Sequence, residues 1–283
     1  MLPFSSKDIV VCSIVRDAEN GLRTNIPVIK DLVRKFKNYA IVIYENDSKD
    51  KTKSILREWQ EEDKEHLHLY MEDYTKEKTI PSDSSVNCNP FFSKKRISKM
   101  AFLRNKYMEV IDQLNLNADY LMVVDLDVAQ LFLPAILSSF ESPNDWDAVT
   151  AFGYSTSPRL KKRYHDTYAL TEFGDEMKPQ TEAKIKALAD KYGSLKPDDN
   201  WVRVYSAFGG LAIYKFEAIK GLRYQLLDND DERVEVKCEH YSIYKQMFEN
   251  GYDKVFINPS MILKYQDLTW KIAFNSIRRK FKI

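Results

Sequence analysis

Apolar and polar residues follow one another along the first half of the chain in blocks that predict strands and helices in turn. Three runs rich in β-branched residues, "DIVVCSIVRD", "YAIVIYEND" and "DYLMVVDLD", are typical of buried strands and end in charged residues. "HLHLYME" alternates like a further strand, and apolar residues at helical spacing predict helices over 20–37, through Trp59 and over 98–114. This alternation predicts an α/β fold with a Rossmann-like, doubly wound and mostly parallel central sheet.

The second half of the chain is less regular. "DWDAVTAFG" predicts a strand, 181–192 a helix, and "WVRVYSAFGGLAIYK" two short strands around Gly209 and Gly210. "RVEVKCEHYSIYKQMFENG" predicts a strand that runs into a helix, and "DKVFINPSMIL" a last strand. No segment has the composition of a linker, so we predict a single domain over 1–265, divided at about residue 130 into a regular and an irregular half.

Two internal stretches and the carboxyl terminus have no clear period. The stretch 73–95 is polar and contains two prolines, and 154–200 is highly charged; both are expected to order over a bound ligand. The tail 266–283 is basic and partly amphipathic. It suits either a terminal helix packed on the domain or a peripheral contact with an anionic membrane.

The composition excludes several classes of function. The chain has 283 residues with 43 Lys plus Arg, 42 Asp plus Glu and a formal charge of +1, which argues against a nucleic-acid-binding protein. Hydrophobic residues make up 44% of the chain and aromatic residues 13%, enough for a packed core. Only 8 residues are glycine, so a glycine-rich phosphate loop is not expected.

The cysteines and the amino terminus bear on localisation. Cys12, Cys88 and Cys238 form an odd, sparse set, which is typical of free thiols in a reducing compartment. The amino terminus has no basic region followed by a long apolar run, so neither a signal peptide nor a membrane span is expected. A cytoplasmic protein, peripheral to a membrane at most, is the expectation.

Polar clusters follow the predicted strands at the ends where α/β proteins bind ligands. Arg16 and Asp17 follow the first strand, residues 44–52 the second, Asp125 and Asp127 the mid-chain strand, and Glu239 with His240 a later one. Because the carboxyl ends of parallel strands meet at one edge of a sheet, these clusters are expected to converge there.

The Asp-x-Asp pair suits a hard divalent cation. If the strand persists through both residues, a period of two places Asp125 and Asp127 on one face. Two carboxylates bind Mg²⁺ or Mn²⁺ and leave its other positions to water and phosphate oxygens. The alternative is a solvated pair that caps the next helix.

"ENDSKDKT" after the second strand suggests a nucleoside site. Glu45 and Asn46 are expected to face a base or ribose. Ser48, Asp50 and Thr52 are expected instead to satisfy backbone N–H groups at a helix start.

Taken in order, these motifs resemble a known enzyme family. "YENDSKDKT" resembles the "DDGSTDGT" element of inverting family 2 glycosyltransferases with the GT-A fold, and "VVDLDV" resembles their DxD. "KMAFLRNKYMEVI", "SAFGGLAIYK" and "CEHYSIYKQMFENGY" resemble later segments of that family in the same order. The whole set, over about 8–262, looks closest to mannosyltransferases of the fungal capsule-associated family and their bacterial relatives.

The resemblance implies a metal-dependent transferase that moves a sugar from a UDP- or GDP-sugar to a saccharide or lipid-linked saccharide. The regular half, to about residue 130, would bind the nucleotide and the half over 131–265 the acceptor. It implies metal binding through Asp125, Asp127 and His240, with Mn²⁺ or Mg²⁺ as the cofactor. The remaining implied contacts are with the donor, from Arg16, Asp17, Glu45, Asn46, Arg104, Gly209 and Gly210, and Glu239 is the implied base.

The departures from the family pattern leave alternatives open. Glu45-Asn46 replaces the usual pair of aspartates and Glu239-His240 the usual Glu-Asp, so the nucleobase and the stereochemistry are undetermined. A non-catalytic carbohydrate-binding scaffold and a sugar nucleotidyltransferase remain as alternatives. Arg16 with Asp17 could also be a helix-capping pair, and His165, in "RLKKRYHDTY", is expected to be surface.

Overall fold

The computed structural model describes residues 4–74, 87–157 and 161–266. The strands are β1 (Asp8–Val15), β2 (Asn38–Asn46), β3 (Leu67–Glu72), β4 (Tyr120–Val124), β5 (Gln130–Leu131), β6 (Ala148–Thr156), β7 (Lys162–Tyr164), β8 (Thr171–Glu172), β9 (Val202–Ser206), β10 (Leu211–Lys215) and β11 (Val255–Gln266). The α-helices are α1 (Glu19–Val33), α2 (Thr52–Glu62), α3 (Lys94–Gln113), α4 (Leu133–Phe140), α5 (Glu182–Tyr192), α6 (Phe216–Ile219) and α7 (Glu239–Glu249).

The strands form one sheet in the order β3-β2-β1-β4-β10-β6-β11-β9-β8. The first four in this order are parallel, β10 is antiparallel to both its neighbours, and β11 is parallel to β6. The carboxyl ends of β1, β2, β4, β6 and β11 therefore share one edge with the start of β10. We call this edge the rim.

Helices cover both faces of the sheet, as in a doubly wound fold. One core cluster holds Val10 and Cys12 of β1 with buried residues of α3 and α7, and the other holds Ile9 and Val11 with residues of α1, α2 and α4. Side chains that alternate along β1 thus pack into opposite layers, because a strand has a period of two. The predicted α/β class and doubly wound topology are confirmed.

Helix α3 begins earlier than predicted. The apolar spacing predicts a start at Ser98, whereas the helix begins at Lys94, where the hydroxyl of Ser93 accepts a hydrogen bond from the backbone N–H of Arg96. The first three residues, Lys94 to Arg96, are basic, and Ile97 is the only apolar residue before Ser98, so hydrophobic periodicity misses this turn. The added turn brings Arg96 into the same helix as Arg104.

Several expectations concern residues outside the described ranges. Most of the stretch 73–95 and nearly all of the tail 266–283 belong to them, so their expected contacts with ligand or membrane remain predictions. Within the described ranges, no helix combines the length and the apolar character that crossing a bilayer requires.

Candidate active site at the rim of the sheet

A cavity of about 300 Å³ opens at the rim between β1, β2, β4 and α3. Its polar wall consists of Arg16, Asn46, Arg96, Lys99, Asp125 and Asp127, and the ring of Tyr265 closes one side. Three cations and two carboxylates therefore face one volume. Of the residues expected to converge from the ends of the parallel strands, four line this cavity together.

The two aspartates leave the strand before they reach the cavity. Strand β4 ends at Val124, and the backbone turns through Leu126, which is buried, while Asp127 is exposed. The backbone N–H of Asp125 donates to the carbonyl of Gly210 at 2.9 Å. The strand therefore does not persist through the pair, and strand alternation does not explain why both carboxylates line the cavity.

Helix α1 holds this turn in place. Asn25 is fully buried, and its Nδ2 donates to the carbonyls of Leu126 and Val128 at 3.2 and 2.8 Å. Its Oδ1 accepts from the N–H of Leu131 at 2.9 Å. Gly21, one turn earlier, lets the helix touch the turn, since a Cβ there would lie 2.5 Å from the Leu126 carbonyl oxygen.

Alanine at position 25 is expected to lower the free energy of unfolding by about 2–4 kcal/mol, because three buried backbone groups lose their partner. It should also weaken metal binding at Asp125 and Asp127. Asn20→Ala, on an exposed position of the same helix, is the matched control and should stay within about 0.5 kcal/mol. Urea unfolding measures both, and equal midpoints would contradict the holding role of Asn25.

Asp125 carries a poorly compensated charge. Burial raises its pKa to about 7, and the charges of Asp127 and Glu239 add to this while Arg104 opposes it. A divalent cation at the two carboxylates would offset this cost. The donor set is hard oxygen, so the residues fit the predicted Mg²⁺ or Mn²⁺.

His240 does not join the two aspartates. Its ring is buried and stacked on Phe208 with centroids 3.9 Å apart, and neither ring nitrogen has a hydrogen-bond partner among the described residues. Across 4–74, 87–157 and 161–266, no group of three or more His, Cys, Asp or Glu side chains is arranged to hold a metal. The structure therefore does not assemble the expected three-residue set.

Arg104 lies beneath the cavity and does not line it. The guanidinium is 3% exposed, with Nε 3.0 Å from Oε1 of Glu239 and Nη2 3.5 Å from Oδ1 of Asp125. It also lies over the ring of Phe208 at 4.9 Å. The expected contact with a diphosphate is thus replaced by an internal contact that holds two carboxylates, a role that motif comparison does not reveal.

Most polar side chains of the "ENDSKDKT" turn accept hydrogen bonds from backbone N–H groups. Glu45 is fully buried, and its Oε1 accepts from the N–H of Ser48 at 2.8 Å, so Glu45 shapes the turn and does not face the cavity. Asn46 does line it. As expected, Ser48, Asp50 and Thr52 accept from backbone N–H groups. These groups belong to Asp17, Ala18 and Glu19, at the start of α1, and Asp50 also accepts from the N–H of Thr52 at 2.9 Å, at the start of α2.

Arg16 and Asp17 have different roles in the structure. Arg16 lines the cavity. The carboxylate of Asp17 accepts a hydrogen bond from the N–H of Lys49 at 2.8 Å and lies 3.6 Å from the Arg16 guanidinium. Asp17 therefore links the turn after β1 to the turn after β2. Its backbone has φ of 47°, a left-handed conformation that aspartate tolerates better than most residues. The structural alternative is therefore favoured for Asp17.

Gly209 and Gly210 form the turn that enters β10. Both have positive φ, and a Cβ on Gly209 would lie 2.4 Å from the carbonyl oxygen of Ala151. The turn thus packs against the end of β6 while Gly210 bonds to Asp125. The two glycines thus form a turn between strands, and their implied contact with the donor sugar stays a prediction.

Several residues of the site were missed or misplaced. Arg96, Lys99 and Tyr265 carry no motif and reach the cavity only through the fold. His165 is not free surface: its ring stacks on Tyr265 with centroids 3.5 Å apart, and burial lowers its pKa to about 4. The hydroxyl of Tyr265 in turn lies 3.5 Å from Oδ2 of Asp125.

Comparisons with known proteins bear on the family and the fold of this chain. The family model described as Cryptococcal mannosyltransferase 1 matches residues 8–245. Comparison with curated protein sequences returns no match. A mannosyltransferase from Pyrobaculum calidifontis, solved with GDP-Man and Mn²⁺, is similar in structure at a TM-score of 0.50 and 12% identity.

The structural similarity extends over most of this chain. The match covers 97% of it but only 61% of the Pyrobaculum chain, so the protein described here spans less than two thirds of that enzyme. Glucosyl-3-phosphoglycerate synthase from Mycobacterium tuberculosis, solved with UDP, gives a TM-score of 0.46 at 11% identity and covers 98% and 79% of the two chains. At such low identity the Pyrobaculum match supports the fold alone.

Proposed function

We propose, because the chain belongs to the Cryptococcal mannosyltransferase 1 family, that it is a metal-dependent glycosyltransferase that uses a nucleoside diphosphate sugar. The observation that carries the proposal is the rim cavity of about 300 Å³, which is lined by two carboxylates and three cations: Asp125, Asp127, Arg16, Arg96 and Lys99. Two carboxylates for a cation and three cations for an anion are what a diphosphate with its metal requires.

The residues of the cavity would bind different parts of the donor. Asp125 and Asp127 would hold Mn²⁺ or Mg²⁺, which when bound neutralises charge on the leaving diphosphate. Arg96 and Lys99, on the first turns of α3, and Arg16 attract the phosphates from the opposite wall. Asn46 presents an amide to the nucleoside. Fixed charges of both signs position the donor before reaction and require little rearrangement.

The donor and the acceptor are proposals of different strength. The Pyrobaculum enzyme contains GDP-Man and Mn²⁺, so GDP-mannose is the donor to test first. A saccharide or lipid-linked saccharide is the proposed acceptor. A cytoplasmic location is supported by the three free cysteines. Peripheral membrane contact through 266–283 rests on sequence alone.

A thermal-shift screen with GDP, UDP, CDP and dTDP, each with and without Mn²⁺, tests the function. We expect one nucleotide to raise the melting temperature by several degrees only when Mn²⁺ is present, since a ligand at 100 times its Kd adds about 2.7 kcal/mol. The matching sugar nucleotide should then be consumed. Stabilisation by no nucleotide would favour the scaffold alternative, and consumption of a nucleoside triphosphate with a sugar phosphate the nucleotidyltransferase.

A further inference from the structure

Tyr265 reaches the rim cavity from an irregular point of the last strand. Lys264 of β11 pairs with Tyr154 of β6. The next pair joins Gln266 to Ser155, so Tyr265 is an extra residue on β11 and forms a β-bulge. A bulge changes the direction in which a side chain points, and bulges are common beside active sites. The ring of Tyr265 thus faces the cavity from this bulge.

The backbone around Tyr265 also holds the turn that carries the two aspartates. The carbonyl oxygen of Tyr265 accepts a hydrogen bond from the N–H of Ala129 at 3.1 Å. Leu263 pairs with Leu131 in the short antiparallel ladder between β11 and β5. The strand that carries Tyr265 therefore fixes the position of the chain just after Asp127.

The ring of Tyr265 is packed on two neighbours. It stacks on the imidazole of His165, with centroids 3.5 Å apart and the two planes inclined by 19°. It also lies against the turn that enters β10, since a Cβ on Gly210 would be 3.2 Å from two ring carbons of Tyr265. These contacts restrict rotation of the side chain, so the hydroxyl is directed to one place.

The hydroxyl of Tyr265 is directed to the carboxylate of Asp125. It donates to Oδ2 at 3.5 Å, and Nη2 of Arg104 donates to Oδ1 of the same carboxylate at 3.5 Å. Both distances are at the outer limit of a hydrogen bond, and such bonds in active sites often shorten once the ligand is bound. Because the backbone N–H of Asp125 bonds to Gly210, this residue is held at three points.

We propose that Tyr265 is a positioning residue that orients the carboxylate of Asp125 for the divalent cation. This inference rests on the proposed metal-dependent function. Asp127 makes no hydrogen bond to another residue within the described ranges, so Asp125 is oriented before the metal binds and Asp127 adjusts to it. A hydrogen bond that fixes a metal-binding carboxylate favours the bound geometry and raises the affinity for the metal. The hydroxyl of Tyr265 needs no contact with metal or substrate.

The test compares Tyr265→Phe, which keeps the ring and loses the hydroxyl, with a matched variant. Tyr39 has the same arrangement at the opposite edge of the sheet: its ring stacks on His66 with centroids 4.3 Å apart, and its hydroxyl donates to Asp63 at 2.9 Å. Tyr39→Phe therefore removes the same kind of contact away from the rim. Mn²⁺ is titrated in the presence of GDP, or of UDP if UDP is the nucleotide selected, and free Mn²⁺ is followed by electron paramagnetic resonance.

Tyr265→Phe should raise the Kd for Mn²⁺ at least about tenfold, because residues that support metal ligands usually contribute 10–100-fold to metal affinity. Tyr39→Phe should bind Mn²⁺ like the wild type. Excess Mn²⁺ should restore the affinity of Tyr265→Phe for the nucleotide, since the charged residues of the cavity are unchanged. A residue that only stabilised the fold would not produce this rescue by the metal.

The other outcomes decide the inference as well. A smaller loss of Mn²⁺ affinity in Tyr265→Phe, or tighter binding, overturns it, and so does an equal loss in Tyr39→Phe. A nucleotide affinity that stays low in excess Mn²⁺ also overturns it, because the hydroxyl would then act on the nucleotide. These results leave the proposed function standing. A wild-type protein that binds no Mn²⁺ with any of the four nucleoside diphosphates refutes that function itself.

Discussion

Alanine at position 127 is expected to abolish Mn²⁺-dependent nucleotide binding while the fold remains intact. Asp127 is exposed at the cavity, and its side chain makes no hydrogen bond to another residue within the described ranges, so its loss should remove a metal contact and little else. Even changes to residues that only support metal ligands cost 10–100-fold in affinity, so loss of a direct ligand should cost about 100-fold or more.

Titration calorimetry with GDP at fixed Mn²⁺ measures this loss. Asp230→Ala, which removes an exposed carboxylate elsewhere, should bind like the wild type. The melting temperature of Asp127→Ala without metal should match the wild type within about 2 °C, since surface substitutions usually change stability by less than 0.5 kcal/mol. Unchanged Mn²⁺-dependent affinity would refute the metal assignment and with it the proposed mechanism.

Methionine at position 104 is expected to cause the largest loss of stability. Arg104 is 3% exposed and lies between Asp125 and Glu239, so its removal leaves two carboxylates buried without a counter-charge. Breaking a buried ion pair in this way costs about 3–5 kcal/mol. Arg104→Lys keeps the charge and should lose less. Arg23→Met, which breaks an exposed pair with Glu19, should change stability by at most about 1 kcal/mol.

The loss in Arg104→Met should also depend on pH. In the metal-free wild type the pKa of Asp125 is raised from 3.8 to about 7, so this group favours the folded state most at low pH and progressively less as pH rises through that window. Without Arg104, which lowers this pKa, ionised Asp125 costs still more. Unfolding in EDTA should therefore show a larger deficit at pH 8 than at pH 5, and a deficit independent of pH would contradict the assigned role.

The sequence predicted the site where local pattern and topology were sufficient. Val-rich runs that end in charge identify β1, β2 and β4, and parallel pairing then requires Arg16, Asn46 and Asp125 to meet. The DxD pair reached the cavity by a turn instead of a continuing strand. Its position at the cavity therefore arises from a local geometry that strand periodicity does not describe, and its metal-binding chemistry stays a prediction.

What could not be predicted depends on contacts between distant parts of the chain. Asn25 bonds to residues more than 100 positions away, and Arg104 meets Glu239 across 135 positions. Neither pairing leaves a local signal, because an asparagine or arginine in a helix is ordinary.

The capping of α1 by the turn after β2 has a further consequence. The N–H groups of Asp17, Ala18 and Glu19 donate hydrogen bonds to the side chains of Ser48, Thr52 and Asp50, respectively. The amino terminus of α1 is therefore capped by side chains from the segment that connects β2 to α2. If either the β1–α1 or the β2–α2 connection opens, these hydrogen bonds between the two connections are lost. The segment from β1 into α1 and the segment from β2 into α2 should therefore unfold together in one cooperative step. This coupling keeps the entrance to the cavity rigid even when neighbouring segments fluctuate.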